Sequence, residues 1–539
     1  MTNLNQISRR DVLKLMGLGA GSLYLSACGL LPSASADPTA APVFSTPFTP
    51  ASDLPLLSVD LTAGRGALPI FSGAETSILK YQAEVKEGGG ESIQTLSDSY
   101  LGPIFRVKQG QRVQVRLNNE LPDPTIIHWH GLIIPEAMDG HPRYAIAPGK
   151  SYDYDFQVIN RAGMYWFHPH PHQLTAPQVY YGLAGLFIVS DEEEAALGLP
   201  AGEYDLPLVI QDRIFDSQNQ MVYGANGMMD AMIGFLGDTI LVNGAPDASM
   251  DVKASAYRLR LLNGSNSRIY KLAWQDGTPL SVIATDGGLL EKPVTREYIT
   301  MGPGERVELW ADFSGRNAGS EMNLVSLPFT DFSGGGGMMG GGMMGGAGLP
   351  NGTPLDIVRL RIGEKGADVT PLPSQLSTIE RHDVNNAVNR NTPRSFRLAM
   401  QGMVHTINNR LFEMDAVARD EIVRLGDLEV WEFVNLEGGG GGRGMGMGGM
   451  NMDMPHPMHM HGVQFQILDR QIARGFESAY RELSSGFVDD GWKDTVLVMP
   501  GETVQVLVRF ENYTGMFLYH CHNLEHEDAG MMRNYRIEG

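Results

Sequence analysis

Cysteine is almost absent from this chain: only Cys28 and Cys521 occur among its 539 residues. Two cysteines near opposite ends cannot form a disulfide framework, so each is a candidate for chemistry. Positive charge is also scarce, with 41 Lys and Arg against 62 Asp and Glu and a formal net charge of -21. Because binding to phosphates needs a basic face, we expect no nucleic-acid partner.

Long apolar runs are missing as well. The run near the N-terminus, Leu15 to Leu25, is too short to span a membrane. It follows the paired arginines Arg9 and Arg10, an order typical of a twin-arginine export signal. An amphipathic surface helix is the alternative interpretation. Export by this route places the protein outside the cytoplasm, in the periplasm or at the cell surface, and suits a protein that binds its cofactor before export.

The signal is followed by a candidate lipidation site. Leu25-Ser26-Ala27-Cys28 resembles the lipobox of bacterial lipoproteins, in which Cys28 becomes the acylated N-terminus. Ordinary cleavage after Ala36 is the competing interpretation. Residues 29–50 are rich in Ala, Pro and Ser and indicate a tether, so residues 1–50 form a signal-and-tether segment. Membrane contact is expected only through this lipid.

The rest of the chain contains an internal sequence repeat. Short strand-like runs alternate apolar and polar residues, as in Arg112 to Leu117. A Pro-Gly pair at 148–149 precedes His168 by the same interval that separates the pair at 500–501 from His520. A third copy, at 303–304, is followed by no histidine pair. The repeats predict three related β-sandwich domains, with metal ligands kept in the first and third and lost in the second.

We place the three domains at residues 51–195, 196–370 and 371–539. Two inserts rich in Gly and Met interrupt this pattern, at 334–348 in the second domain and at 438–454 in the third. Such tracts lack core-forming residues, so both are predicted to be mobile loops.

Ten of the 14 histidines fall into four clusters: His128 and His130; His168 and His170; His456, His459 and His461; His520, His522 and His526. In a strand, the two imidazoles of a His-x-His pair lie on one face, about 6.6 Å apart. A hydrogen-bonded core residue is the usual explanation of a single histidine. It does not explain paired clusters at repeated positions, whereas imidazole is a common ligand of copper, zinc, iron and nickel.

Cys521 lies between His520 and His522, so its thiol faces away from both imidazoles. One thiolate, two histidines and a distant methionine form the ligand set of blue-copper sites. The candidate ligands of such a site are Cys521, His456, His526 and Met531. The backbone of Cys521 would then link an electron-accepting copper to a second group of copper ions held by the two neighbouring histidines.

Four motifs carry a family resemblance: His-Trp-His-Gly, His-Pro-His, His-Pro-Met-His-Met-His-Gly and His-Cys-His-x3-His-x4-Met. In this order, over residues 55–539, they resemble the multicopper oxidases, especially the bacterial copper-efflux oxidase, laccase and bilirubin oxidase branch. The resemblance implies an all-β fold of three consecutive cupredoxin-like Greek-key β-sandwich domains. It also implies copper as cofactor, with one type 1, one type 2 and two type 3 ions.

The resemblance also assigns ligands. The type 1 set is the one given above, and the choice of Met531 over Met532 rests on family spacing. Type 2 copper would take His128 and His459. The type 3 pair would take His130, His168, His170, His461, His520 and His522. This leaves His141, His172, His382 and His405, which are interpreted as surface or structural residues.

The implied reaction is one-electron oxidation of a reductant at the type 1 copper, coupled to reduction of O2 to water. Asp139 and Glu527 match family acids that relay protons; surface or capping carboxylates are the alternative. The expected partners are O2 and a small reductant or metal ion, and the chain is expected to act as a monomer.

The methionines favour Cu(I) as the reductant, with a role in copper tolerance, because thioether sulfur is a soft ligand that selects Cu(I). The candidate substrate site is Met452, Asp453 and Met454, although the acid stands closer to His456 than in copper-efflux oxidases. The alternatives are a laccase-like oxidase of phenols, Mn(II) or bilirubin-like compounds, with methionine merely filling loops, and a non-catalytic copper store or assembly protein. Every ligand position is filled, which argues against the last.

Overall fold

The structure is a computed structural model, and it describes residues 54–225, 227–331, 348–401, 404–435 and 454–539. The export signal, Cys28 and most of the two Gly-Met inserts, with Met452 and Asp453, lie outside these ranges. Within them, no helix is both long enough and apolar enough to cross a membrane.

The described chain is built mainly from β-strands. The first group comprises β1 Leu57–Leu68, β2 Thr76–Glu87, β3 Ile93–Gln94, β4 Ile104–Lys108, β5 Arg112–Asn119, β6 Ile127–His130, β7 Ser151–Gln157, β8 Gly163–Pro169 and β9 Gly185–Ser190. The second comprises β10 Asp205–Arg213, β11 Thr239–Val242, β12 Ala245–Pro246, β13 Ser249–Ala254, β14 Ala256–Asn263, β15 Tyr270–Trp274, β16 Leu280–Thr285, β17 Gly288–Arg296, β18 Ile299–Met301, β19 Arg306–Asp312, β20 Glu321–Ser326 and β21 Leu355–Lys365. The third comprises β22 Arg394–Gln401, β23 Val404–Ile407, β24 Ile422–Arg424, β25 Leu428–Asn435, β26 His456–Met460, β27 Phe465–Ile472, β28 Thr495–Val498, β29 Glu502–Arg509, β30 Gly515–Cys521 and β31 Met532–Glu538.

Helices are short and lie in connections. They are α1 Thr175–Tyr180, α2 Glu192–Ala195, α3 Met228–Ile233, α4 Glu477–Ser484 and α5 Leu524–Asp528. Single 3-10 turns occur at Gly90–Ser92, Glu136–Met138, Pro142–Tyr144, Gly202–Tyr204, Val384–Asn386 and Arg419–Glu421. Helix α3 packs against α5, which brings the second strand group against the C-terminal segment.

Each strand group forms two sheets that share one hydrophobic core. The sheet orders are β2-β1-β5-β7 with β3-β4-β9-β8-β6, then β12-β11-β10-β14-β19-β16-β17 with β13-β21-β20-β15-β18, then β23-β22-β25-β29-β27 with β24-β31-β30-β26-β28. In the first sandwich, for example, Val113 of one sheet and Phe105 of the other belong to the same buried cluster. The predicted all-β fold of three consecutive sandwiches is confirmed.

The repeat is visible in the topology. Every sheet contains one parallel pair: β1 with β5, β4 with β9, β10 with β14, β13 with β21, β22 with β25, and β24 with β31. The predicted boundaries near residues 195 and 370 stay predictions, and both lie between the last strand of one sandwich and the first of the next.

Equivalent pairs of strands in the first and third sandwiches carry histidines of the four clusters. In the first sandwich β6 pairs with β8, placing His128 opposite His168; in the third β26 pairs with β30, placing His459 opposite His520. In the second sandwich β15 pairs with β20 in the same way, where Leu272 stands opposite Ser326. The middle sandwich therefore keeps the strand pair without its histidines.

Candidate metal centre

Eight histidines of the first and third sandwiches converge on one buried pocket. They are His128, His130, His168, His170, His459, His461, His520 and His522, and each is 0% exposed. The two sandwiches face each other here, as the sequence predicted. The nitrogens that face one another and the contacts between the rings group the eight into one pair and two triads.

The pair is His128 and His459. The Nδ1 of His128 donates to the carbonyl oxygen of Asp139 at 2.7 Å, and the Nδ1 of His459 donates to that of Asp494 at 2.8 Å. Each Nε2 therefore carries a lone pair, yet the two Nε2 atoms lie 3.2 Å apart. Facing lone pairs repel unless a cation lies between them, and metal–nitrogen bonds of about 2.0–2.1 Å are compatible with this separation.

The first triad is His170, His461 and His520. The Nε2 of His520 lies 3.1 Å from that of His461 and 3.4 Å from that of His170. The Nδ1 atoms of His461 and His520 are held by Asp139 Oδ2 at 2.7 Å and by the carbonyl oxygen of Cys521 at 3.1 Å. Both Nε2 lone pairs again point at a shared position, and these three residues form one of the groups able to hold a metal ion.

The second triad is His130, His168 and His522. The ring of His522 lies 4.9 Å from that of His130 and 5.3 Å from that of His168, between centroids. The Nε2 of His130 donates to Asp494 Oδ1 at 3.0 Å, so its lone pair is on Nδ1, opposite to the tautomer of the rings that donate through Nδ1, such as His128 and His168. His130 Nδ1, His168 Nε2 and both nitrogens of His522 are buried without a hydrogen-bond partner among the described residues. Such orphaned nitrogens fit metal ligands.

Other triplets also bring ring nitrogens within 4.8 Å of one another, for example His128 with His459 and His461. Hydrogen-bond partners fix the free nitrogen on six of the eight rings, all but His170 and His522. The pair and the triads follow from the nitrogens that face one another and from the ring contacts.

The electrostatics favour the metal-binding form of these rings. Burial, reinforced by the neighbouring imidazoles, lowers the pKa values of His168, His461 and His522 well below the ordinary range. They are therefore neutral at neutral pH, and neutral imidazole is the form that binds transition metals.

A second cluster surrounds Cys521, which is fully buried. Its Sγ lies 3.4 Å from His456 Nδ1 and 3.7 Å from His526 Nδ1. Met531 belongs to the same hydrophobic cluster as Cys521, whereas Met532 packs in a different one. The backbone N–H of Cys521 donates to the Met531 carbonyl at 3.1 Å, so the two residues are neighbours. One soft thiol and two imidazoles facing each other form a donor set that suits copper.

The strand β30 joins the two clusters. His520 and His522 are on one face, with ring centroids 5.7 Å apart, and both belong to the eight-histidine pocket. Cys521, between them, belongs to the other cluster. Each triad is thus one peptide unit from the thiol, which is the arrangement that the sequence predicted.

The two predicted proton-relay acids are buried against the pocket. Asp139 contacts His461 through its carboxylate, and burial raises its pKa to about 6. Glu527 lies 3.2 Å from His520 Nδ1 and 3.5 Å from His170 Nε2. Burial alone raises the pKa of Glu527, but these imidazoles bring it well below the usual value. Both acids are therefore in contact with the pocket and not surface carboxylates.

The middle sandwich also contributes to the pocket, although its sequence predicted no ligand role for it. Arg306, 0% exposed, donates to Asp494 Oδ1 at 2.7 Å and makes a second bond to Oδ2. A Cβ on Gly304 would lie 3.1 Å from His522 Cγ and 3.2 Å from His130 Cε1. Both residues belong to the third copy of the Pro-Gly repeat, so that copy was the available signal.

The four remaining histidines differ from one another. His172 and His382 are partly exposed. His141 is buried and its Nε2 bonds Asn534 Oδ1 at 2.9 Å, which fits a structural role. His405 is also buried, but it lies beside His456 and His526 instead of in a separate part of the fold.

Of the three candidate substrate residues only Met454 is described. It is 3% exposed, and its carbonyl oxygen accepts a 2.7 Å hydrogen bond from Asn435 Nδ2.

Comparison with known proteins agrees with this geometry. Two family models, both for multicopper oxidase domains, match residues 78–194 and 381–538. A multicopper oxidase of Staphylococcus haemolyticus is 32% identical over 440 residues, covering 81% of this chain and 82% of its own length. The chain belongs to the multicopper oxidase family. Its members are copper-dependent oxidoreductases that use O2 and a reducing substrate, and this multicopper oxidase is therefore a copper-binding enzyme of that kind.

Two further relatives lie within the same family. The bilirubin oxidase of Albifimbria verrucaria is 30% identical, covering 80% of this chain and 70% of its own. The crystal structure of the McoA multicopper oxidase from Aquifex aeolicus matches with a TM-score of 0.72 and 34% identity, over 89% of this chain and 96% of that one.

Proposed function

We propose that this multicopper oxidase is a cuprous oxidase that couples oxidation of Cu(I) to reduction of O2 to water and serves copper tolerance. The main support for oxidase chemistry is the arrangement of eight buried histidines as a pair and two triads beside the cluster around Cys521. The covered outer edge of that thiol cluster, where Met232 lies over His526, favours a small reductant.

The proposed copper ligands follow from the free nitrogens. The pair His128 and His459 would hold a type 2 ion, and the two triads would hold the type 3 ions. The type 1 ligands would be Cys521, His456, His526 and Met531. The shared hydrophobic cluster of Met531 and Cys521 supports this choice of axial ligand over Met532. Bound copper supplies one-electron redox steps and activates O2.

The protein's own contribution is to hold these rings in one tautomer and to supply protons. Asp139 spans two sets, because its carbonyl oxygen accepts from His128 and its carboxylate from His461. Glu527 contacts two members of one triad. We propose that both acids deliver protons to the pocket, where bulk water is excluded by burial.

The outer edge of His526 supports a small substrate. Its Nε2 donates to the carbonyl oxygen of Met232 in α3 at 3.1 Å, so backbone of the middle sandwich covers the nitrogen that a phenol would otherwise contact. Neighbouring Met229 on α3 is 37% exposed, and a thioether there offers a soft ligand to Cu(I). Met452, Asp453 and Met454 remain the proposed substrate site in the sequence preceding His456.

A laccase-like oxidase is the second candidate, because a bilirubin oxidase is among the relatives. Oxygen uptake by the copper-loaded enzyme with Cu(I), Fe(II) and a phenol side by side tests the choice. We expect Cu(I) to give the highest kcat/KM. Deleting residues 334–348 and 438–451 should lower Cu(I) turnover while phenol turnover holds or rises; equal losses for both substrates contradict the proposal.

We also propose export by the twin-arginine route and lipidation at Cys28. Replacing Arg9 and Arg10 by lysine should leave the protein in the cytoplasm. The variant Cys28→Ala should be exported but not labelled by a fatty acid, and labelling that persists would show that another residue is acylated. A monomer is proposed, and light scattering after size exclusion measures it.

A further inference from the structure

A third histidine lies at the outer edge of the Cys521 cluster. His405, on β23, is 1% exposed and its Nε2 lies 2.8 Å from the carbonyl oxygen of Met232. Its ring packs on that of His526 with centroids 3.9 Å apart at 33° and lies 5.1 Å from that of His456. A ring nitrogen of each of the three residues lies within 4.8 Å of the other two.

The shared carbonyl fixes the protonation of His405. An oxygen with two lone pairs accepts from both His405 Nε2 and His526 Nε2, so each of these nitrogens carries the hydrogen. His405 Nδ1 then keeps a lone pair. It is buried with no hydrogen-bond partner among the described residues.

His456 presents the complementary group. Its Nδ1 faces Cys521 Sγ, so a metal bound there leaves the hydrogen on Nε2. That Nε2 is also buried and has no partner within the described part of the chain. The two nitrogens are not hydrogen-bonded to each other directly, but the rings are neighbours, with centroids 5.1 Å apart. One bridging water would satisfy the buried donor and the buried acceptor at less cost than leaving both unpaired.

We propose that His405 is a positioning residue of the type 1 site, accepting the Nε2 hydrogen of His456 through one water while its ring supports His526. This inference rests on the proposed function, because it takes Cys521, His456 and His526 as copper ligands. An acceptor behind a ligating imidazole fixes the ring and raises its basicity, which stabilises the oxidised metal. His405 thus lowers the reduction potential of the site and couples it to α3 of the middle sandwich.

A purely structural role for His405 leads to a different expectation for its variants. If His405 only filled space against His526, an aromatic ring of similar size would replace it without effect. The variants His405→Phe and His405→Gln separate the two roles, because phenylalanine keeps the ring but has no nitrogen. Glutamine loses the ring but keeps an N–H donor for Met232 and an oxygen acceptor for His456.

The measurement is the reduction potential of the type 1 copper, followed by its intense red absorption in the copper-loaded enzyme. For His405→Phe we expect about a tenfold shift of the one-electron equilibrium toward the reduced metal, about 59 mV. His405→Gln should lie closer to the wild type than His405→Phe does. A potential unchanged in His405→Phe, or equal shifts in both variants, overturns the proposal.

Two further measurements keep the proposal testable. Thermal unfolding of the copper-free variants shows whether both variants fold. The matched control is His382→Phe, which changes a partly exposed histidine outside both clusters. It should leave the reduction potential of the type 1 copper unchanged. Nitrogen-15 NMR of the reduced wild type reports tautomers directly. We expect the hydrogen of His405 to lie on Nε2. A hydrogen on Nδ1 would contradict the proposal, and this result needs no variant. A wild type without the red absorption contradicts the proposed function itself.

Discussion

Asp494 is held by Arg306 and in turn holds two histidines of the pocket. Its Oδ1 accepts from His130 Nε2 at 3.0 Å, while its carbonyl oxygen accepts from His459 Nδ1 at 2.8 Å. Burial alone raises the pKa of Asp494, but the guanidinium of Arg306 holds it well below the usual range. One residue of the third sandwich, clamped by the second, therefore fixes a tautomer in the first.

Replacing Asp494 with Asn should weaken copper binding. The amide group puts an N–H where Arg306 or His130 needs an acceptor, so the reversed tautomer of His130 is no longer enforced. We expect the affinity of the pocket for copper to fall about 10–100-fold, measured by competition with a chelator. The exposed pair Asp153–Arg116 provides the control, since Asp153→Asn should not change copper affinity. Equal affinities in the two variants would contradict the role of Asp494.

The Pro-Gly turn of the middle sandwich should be intolerant of a side chain. Gly304 has φ +84° and its added Cβ would press on His522 and His130; Gly149, in the equivalent turn, has φ +74° and nothing within 4 Å. Both Ala variants incur backbone strain of roughly 1–2 kcal/mol. Only Gly304→Ala should also reduce copper content, measured by metal analysis. Matching copper contents would show that the close approach is unimportant.

The variant Cys521→Ser should separate the two clusters. Loss of the only thiol described in the structure removes the soft ligand, so the red absorption and reduction by substrate should disappear. The eight-histidine pocket does not use the thiol, so its copper should remain. Metal analysis and electron paramagnetic resonance check both statements, and survival of the red band would exclude Cys521 as the ligand.

The two buried acids should affect turnover more than reduction by substrate. For Glu527→Gln and Asp139→Asn we expect O2 consumption to fall about 10²–10⁴-fold, because proton delivery to the pocket is lost. Anaerobic bleaching of the red band by substrate should keep its wild-type rate. If bleaching slows in proportion to turnover, the acids act on the thiol cluster and not on the pocket.

Asp205 should make the enzyme sensitive to acid. Burial raises its pKa, but Arg260, whose Nε lies 2.6 Å away, lowers it below the ordinary value. A depressed folded pKa contributes stability that is present above the unfolded pKa of about 3.9 and is lost as pH falls through the folded value. Asp205→Asn should therefore cost about 1–3 kcal/mol at pH 7, since Arg260 keeps Glu308 as a partner. Urea titrations should show this difference shrinking below about pH 4; a difference independent of pH contradicts the assignment.

The sequence predicted the features that repeat. The interval between the Pro-Gly turn and His168 recurs before His520, and the structure places both histidines on equivalent strands. Histidines two positions apart in a strand, such as His520 and His522, are expected to lie on the same face of that strand. Cysteine is so rare in this chain that Cys521 stood out by itself.

Residues without a partner in the repeat were not predictable. Asp494 acts on His130, which is 364 positions away, and only the packing of the sandwiches brings them together. His405 was interpreted as a surface or structural residue because the ligand assignment left it no role, and a lone histidine offers no spacing signal that could correct this. The cover formed by Met232 acts through a backbone carbonyl, which any residue could supply.

Gly304 and Arg306 give the histidine-free sandwich a part in the eight-histidine pocket. Isolated outer sandwiches, mixed together, would bring the right histidines but no wall to fix their rings. The eight histidines come from two sandwiches with the middle one between them along the chain, so the pocket exists only once all three sandwiches have packed together.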